Sequence, residues 1–171
     1  MAKDDTTKHG TEPMRDAVMR DLRPMGVHSR GGPTPEMLAK ANATIDKMTQ
    51  DFPNWASKDV DKLDALLAQV ASGDADPAMI KDVYKLAHDM RGQGGSFGYP
   101  VVTGVAGSFC KFVNSLDEID QGAIEILQAH VKALRAVLQN KIAGDGGPIG
   151  AKIQDGLDRA VARYHEKRAE G

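Results

Sequence analysis

Apolar residues in this chain recur every three or four positions, in one segment after another, and proline and glycine divide the segments. That spacing is the period of one buried helical face, and no window alternates apolar with polar residues as a half-buried strand would. The chain is therefore expected to be all-α. Thr34 reads as an N-cap with Pro35 in the first helical position, and Leu38, Ala41, Ile45, Met48 and Phe52 make the stripe of a helix that Pro53 should stop. Ser57 is the next cap candidate, ahead of a face made of Val60, Leu63, Leu67 and Val70 that ends at Gly73. Asp76 and Pro77 restart the chain for Met79, Ile80, Val83, Leu86, Ala87 and Met90. After a tight reversal at Gly98-Tyr99-Pro100 come Val102, Val105, Phe109, Phe112, Val113 and Leu116, and past a turn at 117–121 the longest stripe follows: Ile124, Leu127, Val131, Leu134, Leu138 and Ile142.

Short connections between the helices of 57–143 favour an antiparallel up-and-down four-helix bundle, with the 35–52 helix laid across one end as an extra N-terminal helix. Three parts result: a flexible tail and linker over 1–33, a helical bundle over 34–143, and a linker with a C-terminal amphipathic helix over 144–171. Residues 1–13 are polar and mixed in charge, Met14, Val18 and Leu22 suit two turns of amphipathic helix, and Pro24, Gly26 and Gly31-Gly32-Pro33 end it. The glycine-rich 144–148 reads as a second linker. Beyond it, Ile153, Leu157, Val161 and Tyr164 form a narrow apolar face that must fold back on the bundle, cover the first helix, or dimerise.

At 171 residues the chain can bury a real core in one domain. A formal net charge of −2 gives no whole-protein attraction to nucleic acid or acidic lipid. The single cysteine, Cys110, excludes an intramolecular disulfide, and with no apolar run for a membrane span or signal sequence the expected location is the cytoplasm. No pair of His, Cys, Asp or Glu has the spacing of a closed metal site.

His88 lies off the apolar stripe of its helix. Its neighbours three and four positions away are Tyr84, Lys85, Arg91 and Gly92, with Gly95 a further turn out, so the imidazole is expected at the surface, flanked by cations and then by missing side chains. Glycine in a helix interior sacrifices about 1 kcal/mol relative to alanine. Two readings follow: the helix ends at Gly92 in a loop, or it continues and another body must approach the histidine closely.

The stretch resembles the signature of histidine phosphotransfer (Hpt) domains, with a histidine, a basic residue three later, glycine four later, a small residue seven later, an apolar one nine later and glycine ten later. His88, Arg91, Gly92, Gly95, Phe97 and Gly98 fill those positions, Arg91 standing where lysine is more usual. The resemblance covers about half the chain. It implies a four-helix bundle whose helix continues through the glycines, and an exposed histidine that carries a phosphoryl group between aspartates of response-regulator receiver domains, with a hybrid histidine kinase as a further partner. It also implies a monomeric phosphocarrier without ATP-dependent activity, needing no cofactor of its own, since magnesium belongs in the receiver's acidic pocket. Arg91, a planar fork suited to phosphate, is assigned to stabilising the phosphoryl group. Tyr84, Lys85, Gly92, Gly95 and Phe112 are assigned to partner docking. A helical adaptor that docks receivers or a kinase without accepting phosphate is the alternative.

Near neutral pH an imidazole is substantially unprotonated, so His88 needs no dedicated base. Family members often place a polar side chain from the next helix on the imidazole; Cys110 aligns there and is a poor partner. Gln93 is the nearest amide but points away. His130, beside Ile126, Ala133 and Val137, reads as a packing residue, while His9, His28 and His165 sit in tails or linkers. The glycines make neither a dinucleotide fingerprint nor a P-loop, because Phe97 stands where glycine is needed and no Lys-Ser or Lys-Thr follows.

Overall fold

The computed structural model describes residues 32–73 and 76–170, so the expected tail, the Met14, Val18 and Leu22 stretch, His9 and His28 lie outside the described residues. The described residues form an all-α structure: α1 (Pro35–Ala71), α2 (Pro77–Ser96), α3 (Pro100–Asn114), α4 (Gln121–Gln139) and α5 (Gly147–Glu170). The chain falls into two units, Met1–Ala41 and Asn42–Gly171. In the first, Thr34 Oγ1 accepts from the Met37 N–H at 3.2 Å, the expected N-cap.

Pro53 does not stop the first helix, and 35–52 is not a separate element. A proline inside a helix forfeits one backbone bond and crowds the preceding turn, at a cost of about 3 kcal/mol. Here Phe52, Pro53 and Ala56 are all buried, and Phe52 lies against Phe97 and Tyr99 with ring centroids 5.4 and 5.1 Å away. Aromatic burial of that kind is worth several kcal/mol, so packing overrides the local preference. Ser57 correspondingly is no cap: its hydroxyl donates to the Pro53 carbonyl at 2.6 Å, inside the helix.

α2 begins where expected, with the Asp76 carboxylate accepting from the Ala78 N–H at 3.0 Å and Pro77 in the first turn. It runs straight through Gly92, Gly94 and Gly95, so the loop reading is excluded. It ends in a Schellman motif: Gly98 takes φ +79°, and the Tyr99 N–H reaches back to the Gly94 carbonyl at 2.7 Å. α4 closes the same way with Lys141 at φ 50° and the Ile142 N–H on the Val137 carbonyl, so Ile142 lies past the helix and not in it.

The expected linker 144–148 is a bonded turn only over 144–146, since Gly147 and Pro148 already belong to α5. Gly144 donates to the Gly98 carbonyl at 2.8 Å and accepts from the Val101 N–H at 3.0 Å, tying the α4–α5 turn to the α2–α3 turn. Gly150 must be glycine, because a Cβ there would reach within 2.0 Å of the Asp145 carbonyl oxygen. Of the three fates left open for the last helix, it folds back: Leu157 and Tyr164 are buried, and α5 lies against α3 and α4. At its far end Arg168 bonds Glu118 and Asp120 of the α3–α4 turn at 3.0 and 2.9 Å. The Ala123 amide, with Tyr164 and Arg168 adding to it, holds the Asp120 carboxyl below its usual range.

The core of the second unit draws Leu63 and Leu67 from α1, Val83 and Met90 from α2, Phe109 and Phe112 from α3, and Leu127 and Leu134 from α4. Arg135 of α4 spans Asp61 and Asp64 of α1 at 2.5 and 2.9 Å on the rim. His130 is fully buried, as a packing residue: Nδ1 bonds the Ile126 carbonyl at 2.8 Å and Nε2 meets the Ser108 hydroxyl at 3.0 Å. Those partners fit a neutral ring that donates from Nδ1 and accepts from the serine.

Burial holds His130 below the ordinary imidazole value of 6.5, against smaller opposing effects of the Ile126 carbonyl and Asp158. The unfolded chain therefore binds that proton more readily than the folded one. Above pH 6.5 this costs nothing; below it, stability is lost as pH falls toward the folded value, by up to about 1.4 kcal/mol per pH unit. Urea unfolding between pH 7 and pH 5 should register that decline, and His130→Gln, which cannot titrate, should flatten it.

Candidate functional site

α2 buries Val83, Ala87, Met90 and Gly94, which turns His88 outward about 100° from Ala87. His88, Lys85, Arg91, Gly92 and Gly95 are exposed, and Tyr84 is half-buried. Among the described residues neither ring nitrogen of His88 makes a hydrogen bond, and no carboxylate pairs with Arg91. One ring contact is made: Tyr84 lies 6.0 Å from the imidazole, centroid to centroid, with the planes inclined by 28°.

The partner helix across this face is α3. Asn114 Nδ2 reaches the Tyr84 hydroxyl at 3.5 Å, a Cβ on Gly107 would touch the Arg91 side chain at 3.6 Å, and the Gly95 N–H donates to Thr103 Oγ1 at 2.8 Å. These three pairings share one antiparallel register, which sets Cys110 opposite His88. Cys110 is buried, and burial pushes its thiol up while the charge of Arg91 pulls the other way. The expected alignment of Cys110 with the imidazole therefore agrees with the register, and the thiol leaves the ring without a strong polar partner from α3.

The glycines divide into two kinds. A Cβ on Gly94 would lie 2.8 Å from the Thr103 nitrogen and 2.8 Å from the Tyr99 carbonyl oxygen, so this glycine lets α2 and α3 meet. A Cβ on Gly92 would meet nothing within 4 Å, and one on Gly95 only Thr103 Oγ1 at 3.5 Å. The fold does not require those two. They leave bare backbone one and two turns beyond the imidazole.

Phe112 does not belong to this face. It is buried, stacked on His130 of α4 and edge-on to Tyr164 of α5 at 5.2 Å, because the apolar stripe of α3 faces those helices. In its place α3 contributes Thr103, Gly107 and Asn114, small or polar residues that periodicity alone passes over. Gln93 faces away from His88, half-buried, and its Oε1 has no partner among the described residues. His165 lies on α5 beside Ser115 at 3.2 Å, far from a tail. Among the described residues no group of three His, Cys, Asp or Glu is placed to hold a metal ion, and no helix is long and apolar enough to cross a membrane.

The two kinds of glycine separate in stability. Gly92→Ala should raise the unfolding free energy by up to about 1 kcal/mol, the ordinary gain in a helix interior with open space. Gly94→Ala should lower it by about 1–3 kcal/mol, since backbone and not a pliable side chain must move. Denaturant titration of the two variants beside the parent protein measures both.

No family model matches the chain, and no curated protein or solved structure matches it.

Proposed function

We propose that this protein is a histidine phosphotransfer carrier, in which His88 takes a phosphoryl group from the aspartate of one receiver domain and yields it to another. The observation that carries the reading is an exposed imidazole with a guanidinium one turn on and helix backbone left bare at Gly92, where the fold itself asks for no glycine. The finer architecture belongs to the same proposal. The second half of α1 with α2, α3 and α4 makes an antiparallel up-and-down four-helix bundle, and α5 is a C-terminal addition.

Chemically, a neutral ring nitrogen of His88 attacks the phosphorus of the receiver's acyl phosphate. An N–P bond forms, the O–P bond breaks, and the electron pair leaves with the aspartate carboxylate, whose magnesium stays in the receiver. Arg91, with no carboxylate paired to it among the described residues, is available to the phosphoryl oxygens; Lys85 adds positive field from the preceding turn. Return of the group to a second receiver reverses these steps, so the protein carries phosphate without making it from ATP. A cytoplasmic, monomeric relay that releases each partner fits this scheme.

The test charges purified receiver domains with acetyl phosphate and magnesium and follows labelled phosphate into the full chain. Acid-labile label should appear on the parent protein and not on His88→Ala, while Arg91→Ala should slow its appearance about tenfold or more. Gly95→Leu should slow transfer with the unfolding midpoint little changed. Receiver binding that survives His88→Gln, with no label in any pairing, would instead identify an adaptor that docks without accepting phosphate.

A further inference from the structure

We propose that Tyr84, anchored by Asn114, is the positioning residue that holds the His88 imidazole for attack. This inference rests on reading His88 as the phosphoryl acceptor. A nucleophilic ring must present one nitrogen edge in line with the breaking bond, and misplacement by about 1 Å costs about a hundredfold in rate. A hydrogen bond from α3 to the second ring nitrogen would fix such a ring. The α2–α3 register denies it here, because the residue opposite His88 is the buried thiol of Cys110. Arg91 and Lys85 are exposed, and among the described residues neither hydrogen-bonds the ring.

What touches the ring is Tyr84. Helical side chains lean toward the N-terminus, so the His88 ring leans over the residue four positions earlier. The separation of 6.0 Å and inclination of 28° are those of an offset-stacked pair. Tyr84 in turn is held at two points: its ring packs against the core, and its hydroxyl accepts from Asn114 Nδ2 at 3.5 Å across the helix pair. Gly92, four positions after His88, puts nothing on the opposite side. Among the described residues the imidazole therefore has a floor and no ceiling. Tyr84 limits how the ring can turn while the side from which a phosphoryl donor arrives stays open.

The experiment has two arms on the full chain. The first measures single-turnover transfer from a receiver domain charged with acetyl phosphate and magnesium, at increasing receiver concentration, for the parent, Tyr84→Phe, Tyr84→Leu and Asn114→Ala. Tyr84→Leu should lower the saturated rate about tenfold with little change in half-saturating concentration, and Tyr84→Phe, which keeps the ring, should lose much less. The second records the carbon-bound ring protons of His88 by NMR in the unphosphorylated protein. They should carry a tyrosine ring-current shift that Tyr84→Leu abolishes and Tyr84→Phe retains.

A saturated rate unmoved by Tyr84→Leu, or a rise confined to the half-saturating concentration, would overturn the assignment, the second because it marks a docking residue. Should Tyr84→Leu unfold, Asn114→Ala carries the comparison, with a smaller loss in the same direction expected and an unchanged rate overturning it. If no receiver charges the parent protein, the phosphocarrier reading fails. The NMR arm then decides by itself whether Tyr84 holds the ring: a shift lost in Tyr84→Leu sustains that, and its absence in the parent overturns it.

Discussion

Where α2 meets α3, the backbones lie so close at Gly94 that one methyl group would reach within 2.8 Å of the Thr103 nitrogen. Beside it the Thr103 hydroxyl accepts from the Gly95 N–H and donates to the Arg91 carbonyl, both at 2.8 Å. Those two groups stand four residues apart in α2, as donor and acceptor of one helical turn do, so a side chain of α3 is built into the backbone hydrogen bonding of α2. This contact locks the register. From it follow the pairing of Arg91 with Gly107, that of Tyr84 with Asn114, and the position of Cys110 across from His88.

Fixing α2 on α3 decides which face remains for chemistry. α5 takes the other side of α3, burying Leu157 and Tyr164 against α3 and α4. Its ion pairs, Arg168 with Glu118 and Asp120, lie at the surface, where solvent screens them, so the apolar face does more of the holding. The backbone pairing of Gly144 with Gly98 and Val101 fastens the opposite end. The consequence is an α2 surface that no other helix of the chain's last third covers, with His88, Arg91 and two open glycines on it.

The buried and exposed histidines illustrate how environment assigns the role. His130 has both nitrogens bonded, rings of Phe109 and Phe112 around it, and burial that favours the neutral form. It is spent on packing. His88 has neither nitrogen bonded among the described residues and one aromatic neighbour, which leaves a lone pair free for a partner.

Much of this was legible in the residues alone, because helical period, caps and glycine stops are local. The stripes of α2, α3 and α4, the Asp76 cap, the outward direction of His88 and the interior place of His130 all follow from spacing within one helix. Tertiary packing decided the rest. Pro53 sits inside a helix because Phe52 and Ala56 are buried on either side of it, an energy no local rule contains. Phe112 is absent from the His88 face because the stripe of α3 turns toward α4 and α5. Gly94 and Gly92 are the same residue two positions apart, yet the first is demanded by a neighbouring backbone and the second by nothing among the described residues. Only the α2–α3 register, a distance between two segments, could tell them apart.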